Sequence, residues 1–139
     1  QTCALPIYAA TATALANPRN INGTSFDGSA NIVIGNIPQN SQSPSTAYTL
    51  ASTDVGKHVS ITTNVNVIVP VTSTDFAVGD AVSIYNNTTS NKTIEQATGV
   101  TLRRAGFSTT GNRTLAQYGI CTVLCVAANE YIITGVGLT

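Results

Sequence analysis

Apolar and polar residues alternate in short runs through the second part of the chain. The runs 65–69 and 82–85 each place their apolar side chains on one side of an extended strand. Segments that favour turns, such as Asp54-Val55-Gly56 and Val78-Gly79-Asp80, separate the runs. The pattern predicts strands over residues 47–50, 58–62, 65–71, 81–85, 93–97, 100–102, 120–127 and 131–136.

The pattern before residue 47 is different. Two dipeptides that favour the positive φ of a tight turn, Asn22-Gly23 and Asp27-Gly28, stand five residues apart between very short strand-like pieces. This part holds too few large apolar residues to build a core of its own, so we expect it to pack against identical chains. The polar segment 39–46 shows no periodicity and is interpreted as a linker.

Composition strengthens the all-β prediction and narrows the function. Thr, Asn and Ser are abundant, and only 9% of residues are charged, against roughly 25% in ordinary soluble domains. The net charge is zero and the bases are scattered, so no basic footprint for nucleic acid is present. No apolar run approaches the ~20 residues that span a bilayer. Low charge and a mean hydropathy of +0.17 suggest obligate assembly.

One segment resembles a known family. Residues 19–32 follow the pattern R-x-I-N-G-x-x-F-D-G-(S/T)-A-x-I that occurs in the tail fibres of tailed phages. The resemblance implies a homotrimer whose chains wrap into a β-structured shaft. Residues 47–139 are similar in layout to small β head domains of phage and cyanophage structural proteins. We therefore expect a shaft over 8–38, a linker over 39–46, and an antiparallel β-sandwich or barrel head over 47–139.

In such a trimer, the large apolar side chains of the shaft are expected to meet along the threefold axis. The predicted interface residues are Ile21, Phe26, Ile32 and Ile34. The fibre would lie outside the cell on the virion and would join other virion proteins through a missing N-terminal part. The chain lacks Met, and residues 1–7 resemble a translated sequencing-adapter oligonucleotide; the alternative is a mature N-terminus left by signal cleavage.

Catalytic, metal and cofactor sites are not expected. The acids sit mainly in turn contexts rather than as the paired carboxylates of glycosidases, and no Gly-x-Ser-x-Gly elbow is present. His58 is the single histidine, too few for a zinc site. Cys121 and Cys125 share one strand face roughly 13 Å apart, too far for a disulfide, and are predicted to be buried core residues.

The best candidate for receptor binding is the segment 103–113, where bases, an aromatic ring and glycines concentrate. Its candidate contacts are Arg103, Arg104, Phe107 and Arg113, and the polar loop 86–91 adds Asn86 and Asn87. The alternative is a solvated loop whose arginines keep the fibre soluble.

Three functions remain open at this stage. The first is a tail-fibre fragment that attaches the virion to a glycan or protein on a bacterial surface. The second is a purely structural virion protein, such as a head fibre, decoration protein or fibre connector. The third is a bacterial adhesin or carbohydrate-binding module, which would fold as a monomer without the first forty residues.

Overall fold

The computed structural model describes residues 14–15, 17–21, 24–32, 35, 37–72 and 76–139. The chain divides into two compact units, Gln1–Asn36 and Ile37–Thr139. The described residues form strands and turns, and their only helix is a single 3-10 turn at Ser52–Asp54. The predicted all-β fold is confirmed.

The first unit contains one hairpin. Strands β1 (Arg19–Ile21) and β2 (Thr24–Phe26) pair antiparallel, with Ile21 opposite Thr24. The turn predicted at Asn22-Gly23 falls on residues outside the described ranges. The turn predicted at Asp27-Gly28 is confirmed, because Gly28 has a φ of +87° and the Asp27 Oδ1 atom accepts hydrogen bonds from both N and Oγ of Ser29. These bonds lower the pKa of Asp27.

The second unit holds the remaining strands. They are β3 (Gln39–Gln42), β4 (Tyr48–Thr49), β5 (His58–Ile61), β6 (Val67–Val69), β7 (Ala81–Asn86), β8 (Lys92–Gln96), β9 (Thr101–Arg104), β10 (Arg113–Ala127) and β11 (Glu130–Leu138). Every strand predicted from the alternation is present. The prediction missed β3 and began β10 seven residues too late.

The first six strands of this unit form three consecutive pairs, β3–β4, β5–β6 and β7–β8, that stack on one another; each pair is here called a course. β3, β5 and β7 form one parallel ladder, while β4, β6 and β8 form a second. Each course therefore supplies one strand to each ladder before the chain returns to begin the next course. The expected antiparallel head is thus corrected to a mixed sheet, because from β3 to β8 strands adjacent in sequence lie in different ladders instead of forming hairpins.

The long strand β10 joins the two ladders. Residues 113–115 pair antiparallel with β8, and residues 120–124 pair antiparallel with β7. Along its other edge β10 pairs antiparallel with β11, and β11 pairs in parallel with β9. The result is one curled sheet in the order β3-β5-β7-β10-β8-β6-β4.

A wide bulge allows β10 to turn from one ladder to the other. Leu115 faces Leu138 and Ile120 faces Val136, so residues 116–119 stand opposite Gly137 alone. A Cβ atom on Gly119 would lie only 2.9 Å from the Ala116 carbonyl oxygen. Only glycine leaves room for this tight turn of the backbone, and such bulges increase local bending.

The predicted linker over 39–46 is corrected, because its first four residues form β3. Gln39 lies opposite His58 and Gln42 lies opposite Ile61, in the larger unit. Asn40 and Gln42 are the half-buried positions of this strand. β3 is the outermost strand of its ladder, so among the described residues no further strand lies beyond it. Its half-buried positions carry polar side chains. The apolar alternation that reveals a strand in sequence is therefore missing.

The core lies on the inner side of the stacked courses. Val59, Ile84 and Cys121 occupy successive strands in register and are all buried. Phe76 and Tyr131 pack edge to face with ring centroids 6.1 Å apart. Burial of each large apolar side chain contributes roughly 1.5–3 kcal/mol. Cys121 and Cys125 are buried and free, so their prediction as core residues is confirmed.

Candidate binding surfaces

The basic segment forms an ordered loop between β9 and β10. Arg103 forms an antiparallel bridge with Thr110, and the Gly111 N–H donates to the Leu102 carbonyl at 3.0 Å. These contacts bring residues 102–103 and 110–111 together and close the loop. The predicted contacts Arg103, Arg104, Phe107 and Arg113 lie in the loop or at its ends.

The guanidinium groups of this loop are engaged within the loop and its flanks. Arg103 donates to the Ser108 carbonyl at 2.8 Å and pairs with Glu130 at 3.3 Å. Arg113 donates to the Thr109 carbonyl at 2.6 Å. The Arg104 guanidinium stacks over the half-exposed Phe107 ring at 4.5 Å from its centroid. These contacts hold the loop in shape.

The expectation that Asn86 contacts a receptor is wrong, because its side chain is fully buried. Its Nδ2 atom donates to the carbonyls of Ser90 and Ala116, both at 2.8 Å, and its Oδ1 atom accepts from the Thr88 hydroxyl at 2.7 Å. Asn86 thus ties the loop after β7 to the bulge of β10. Asn87, the other predicted contact, is exposed in that loop.

This loop and this bulge form one surface, here called the corner surface and comprising residues 87–91 and 116–119. The Gln117 N–H donates to the Asn91 Oδ1 atom at 3.2 Å, which adds a second link between them. Tyr118 lies in the bulge with a φ of +56° and is 57% exposed. Tyr118 was not among the predicted contacts, because it lies just before the strand predicted over residues 120–127. The one signal in the sequence was the pairing of an aromatic residue with glycine at Tyr118-Gly119.

A second surface lies on the outer side of β10 and β11. This outer face comprises Ile120, Thr122, Leu124, Ile132, Thr134 and Val136. Ile120 lies opposite Val136, which is 78% exposed, and Leu124 lies opposite Ile132. None of the six residues carries a charge. These strands were predicted from the sequence, but the exposure of this side of them was not.

A groove of about 360 Å³ borders the outer face. It is lined by Ile37, Gly56, Lys57, Ala81, Ser83 and Thr122. Thr122 belongs to both features, and Ser83 and Ala81 face Thr122 and Leu124 across the β7–β10 pairing. The uncharged outer face and a groove lined mainly by small residues therefore lie side by side.

The predicted trimer contacts belong to the first unit. Ile21 is 39% exposed, while Phe26 and Ile32 are partly buried. Ile34 lies outside the described residues. Among the described residues of this unit, the hairpin of β1 and β2 is the only regular secondary structure.

Asp54 and Asp80 act as local structural groups in the second unit. Asp54 is fully buried, and its carboxylate accepts from the Ala51 N–H at 2.8 Å, the Tyr48 hydroxyl at 3.0 Å and the Asn40 amide. Burial, with Asp54 beside it, raises the pKa of Tyr48 to about 12. Asp80 accepts from the Ala77 N–H in the turn predicted there.

His58 lies on β5 with Nδ1 3.2 Å from the Ile37 carbonyl and Nε2 3.1 Å from Gln39 Oε1. No group of three His, Cys, Asp or Glu side chains suited to a metal ion occurs among the described residues. In the same part of the chain, none of the helical structure is long and apolar enough to cross a membrane.

Comparison of the chain with protein-family models and with curated proteins gives no match.

Proposed function

We propose that this chain is part of a tail fibre of a tailed phage, assembled as a homotrimer, that attaches the virion to a glycan or protein on a bacterial surface. The motif over residues 19–32 supports the fibre origin. The uncharged outer face carries the proposal, because it is a surface that a lone soluble chain would expose to water at a cost.

The occupant of the outer face is a second copy of this chain. None of its six residues carries a charge, so the face itself has no group that could pair with a charged partner; the nearest charges are Lys57 in the adjoining groove and Arg103 beside Ile132. The apolar patch is present whenever the chain is folded, so its cover must be present wherever the chain is made. The outer face and the neighbouring groove are two different surfaces, as the two contacts of a head-to-tail ring are.

Attachment follows from assembly. Three weak receptor sites on one rigid trimer reinforce one another through their high effective concentration, so each site alone can bind weakly. Other virion proteins would connect through residues upstream of this segment, and the assembled fibre would act outside the cell.

The first experiment is sedimentation of residues 9–139 and of the truncated chain 37–139. We expect trimers in both cases. Val136→Lys, which places a charge in the outer face, should shift the chain to monomers, because an unpaired charge is costly to bury. Thr98→Lys, at an exposed turn outside the face, should leave the trimer intact.

Two results would contradict this assembly. A monomeric 9–139 chain would count against the fibre proposal and favour an adhesin or carbohydrate-binding module. A trimer that is lost on truncation to 37–139 would instead place the interface at the predicted shaft contacts, and the outer face would have another role.

A purely structural virion protein is the second candidate. One observation favours it: the arginines predicted to contact a receptor are engaged by their own loop and by Glu130. This alternative predicts the same trimer but no binding to bacterial cells or to their surface polysaccharides.

A further inference from the structure

We infer that the corner surface binds an uncharged glycan, with the Tyr118 ring as its stacking platform. The inference rests on the proposed attachment function and moves the receptor site away from the basic loop. Three observations carry it: the backbone conformation of Tyr118, the rigid support beneath it, and the uncharged chemistry around it.

Tyr118 adopts a backbone conformation that favours glycine. Among the described non-glycine residues only Tyr118 and Asn129 have positive φ, and asparagine tolerates this region far better than tyrosine. For Tyr118, whose φ is +56°, the Cβ atom makes this conformation unfavourable. The ring does not recover this cost by burial, since 57% of the residue is exposed. A strained, exposed aromatic residue points to a role outside the fold of the single chain.

The surface around Tyr118 is held rigidly. The buried Asn86 amide bridges the Ser90 and Ala116 carbonyls, and Asn91 accepts from the Gln117 N–H. The Asn87 N–H donates to the Ile61 carbonyl at 2.9 Å, which anchors the loop to β5. Loop and bulge are thus fixed before a ligand arrives, and little ordering entropy is lost on binding.

The exposed groups suit a ligand rich in hydroxyls. The corner surface carries no charge in residues 87–91 or 116–119. Its exposed polar side chains are Asn87, Thr89, Ser90, Asn91 and Gln117. Amides and hydroxyls both donate and accept, as sugar hydroxyls do, and the face of a tyrosine ring offers an apolar platform. Tyrosine, serine, asparagine and glycine are also the residues that binding loops of antibodies favour.

The test uses the full chain on an array of immobilised bacterial polysaccharides, with uncharged polymers beside uronate-containing ones. We expect binding to uncharged polymers. Tyr118→Gly should weaken that binding at least about tenfold, as loss of a central aromatic contact does. It should also keep or raise the unfolding temperature, because glycine adopts this φ without strain.

Two further variants serve as controls. Tyr118→Phe keeps the ring and should retain most of the binding. Phe107→Ala removes the exposed aromatic of the basic loop, outside the corner surface, and should bind like the parent. Both variants should sediment as the parent does.

Several results would overturn the inference. These are parent-like binding by Tyr118→Gly, a preference for uronate polymers that Phe107→Ala abolishes, binding only to a surface protein, or no binding to uncharged polymers. A change in the sedimentation of Tyr118→Gly would assign the residue to the assembly contact instead. In each case a trimer that still binds bacterial cells leaves the proposed function standing, whereas a parent that neither trimerises nor binds cells removes both.

Discussion

At the scale of single residues, most buried polar groups of the second unit have hydrogen-bond partners. The Asn86 amide and the Asp54 carboxylate are fully buried and hydrogen-bonded, and the Lys92 ammonium donates to Asn64. The Tyr131 hydroxyl differs. Its residue is fully buried, and the Cys125 thiol, on the strand opposite, is the weak hydrogen-bonding partner that the described residues offer it. A buried polar group that is poorly paired lowers stability, by up to roughly 1–3 kcal/mol when the partner is lost entirely.

Replacing Tyr131 with phenylalanine should therefore stabilise the protein. Tyr131→Phe removes the buried hydroxyl, whose partner is only the weakly bonding Cys125 thiol, and keeps the edge-to-face contact with Phe76, so we expect a gain of about 1 kcal/mol in the free energy of unfolding. Urea denaturation measures it. Tyr85→Phe, at a partly exposed position, is the control and should change little. A loss of stability in Tyr131→Phe would show that the bond to Cys125 outweighs the cost of burying the hydroxyl.

Neighbouring residues show where sequence reasoning at this scale stops. Asn86 and Asn87 are chemically identical and adjacent, yet one is buried and the other exposed. Successive side chains of a strand point to opposite sides, and the side that becomes interior depends on what packs there. The polar character of the loop was predictable from the sequence, but which of the two asparagines is buried was not.

At the scale of elements, the pairing of β10 with β11 depends on a close backbone approach at Gly135. This residue lies opposite Cys121, and a Cβ atom built on it would overlap the Ile120 carbonyl oxygen and the Cys121 backbone. These are backbone atoms of a strand paired on both edges, so they cannot move aside cheaply. The glycine is thus required by the sheet itself.

Gly135→Ala should destabilise the protein by about 1–3 kcal/mol, the range found for overpacked sites. Thermal unfolding followed by circular dichroism is the measurement. Thr134→Ala changes the preceding, exposed residue of the same strand and should have a much smaller effect. Equal effects of the two substitutions would contradict the close approach.

Strand positions were predictable because alternation with a period of two reflects the backbone of any strand. The alternation over 65–69 and 82–85 therefore located β6 and β7 without knowledge of their partners. The first residues of β10, from Arg113 onward, were missed because Gly111 and Asn112 directly before them, with the basic Arg113, are typical of a loop. Their strand character comes from the pairing of 113–115 with β8, which lies far away in sequence.

At the scale of the whole molecule, two tyrosines, the buried Tyr131 and the half-buried Tyr48, couple stability to pH. Burial raises the pKa of Tyr48 to about 12 and that of Tyr131 to about 12, from an ordinary value of 10.0. Tyr48 lies in the outermost strand of its ladder and Tyr131 in β11, so the effect is spread across the unit. A raised pKa means that the folded state holds the proton more tightly, and this contribution is complete below pH 10.

The stability of the protein should therefore fall as the pH rises from 10 towards 12. Urea denaturation at a series of pH values, with tyrosinate absorbance recorded in parallel, measures the effect. Tyr48→Phe removes one of the two groups and should make the fall shallower. Full ionisation of all five tyrosines near pH 10 in the folded protein would contradict the prediction.

Alternation, turn chemistry and low charge are local properties, and they were enough to predict the all-β class, nearly all strands, the Asp27-Gly28 turn and the buried cysteines. The folded protein alone shows the parallel stacking, the place of β3, the burial of Asn86, the strain at Tyr118 and the exposed outer face. Each of these depends on which distant strand lies alongside. Strand pairing is chosen by burial over the whole unit, and no local run of residues records that choice.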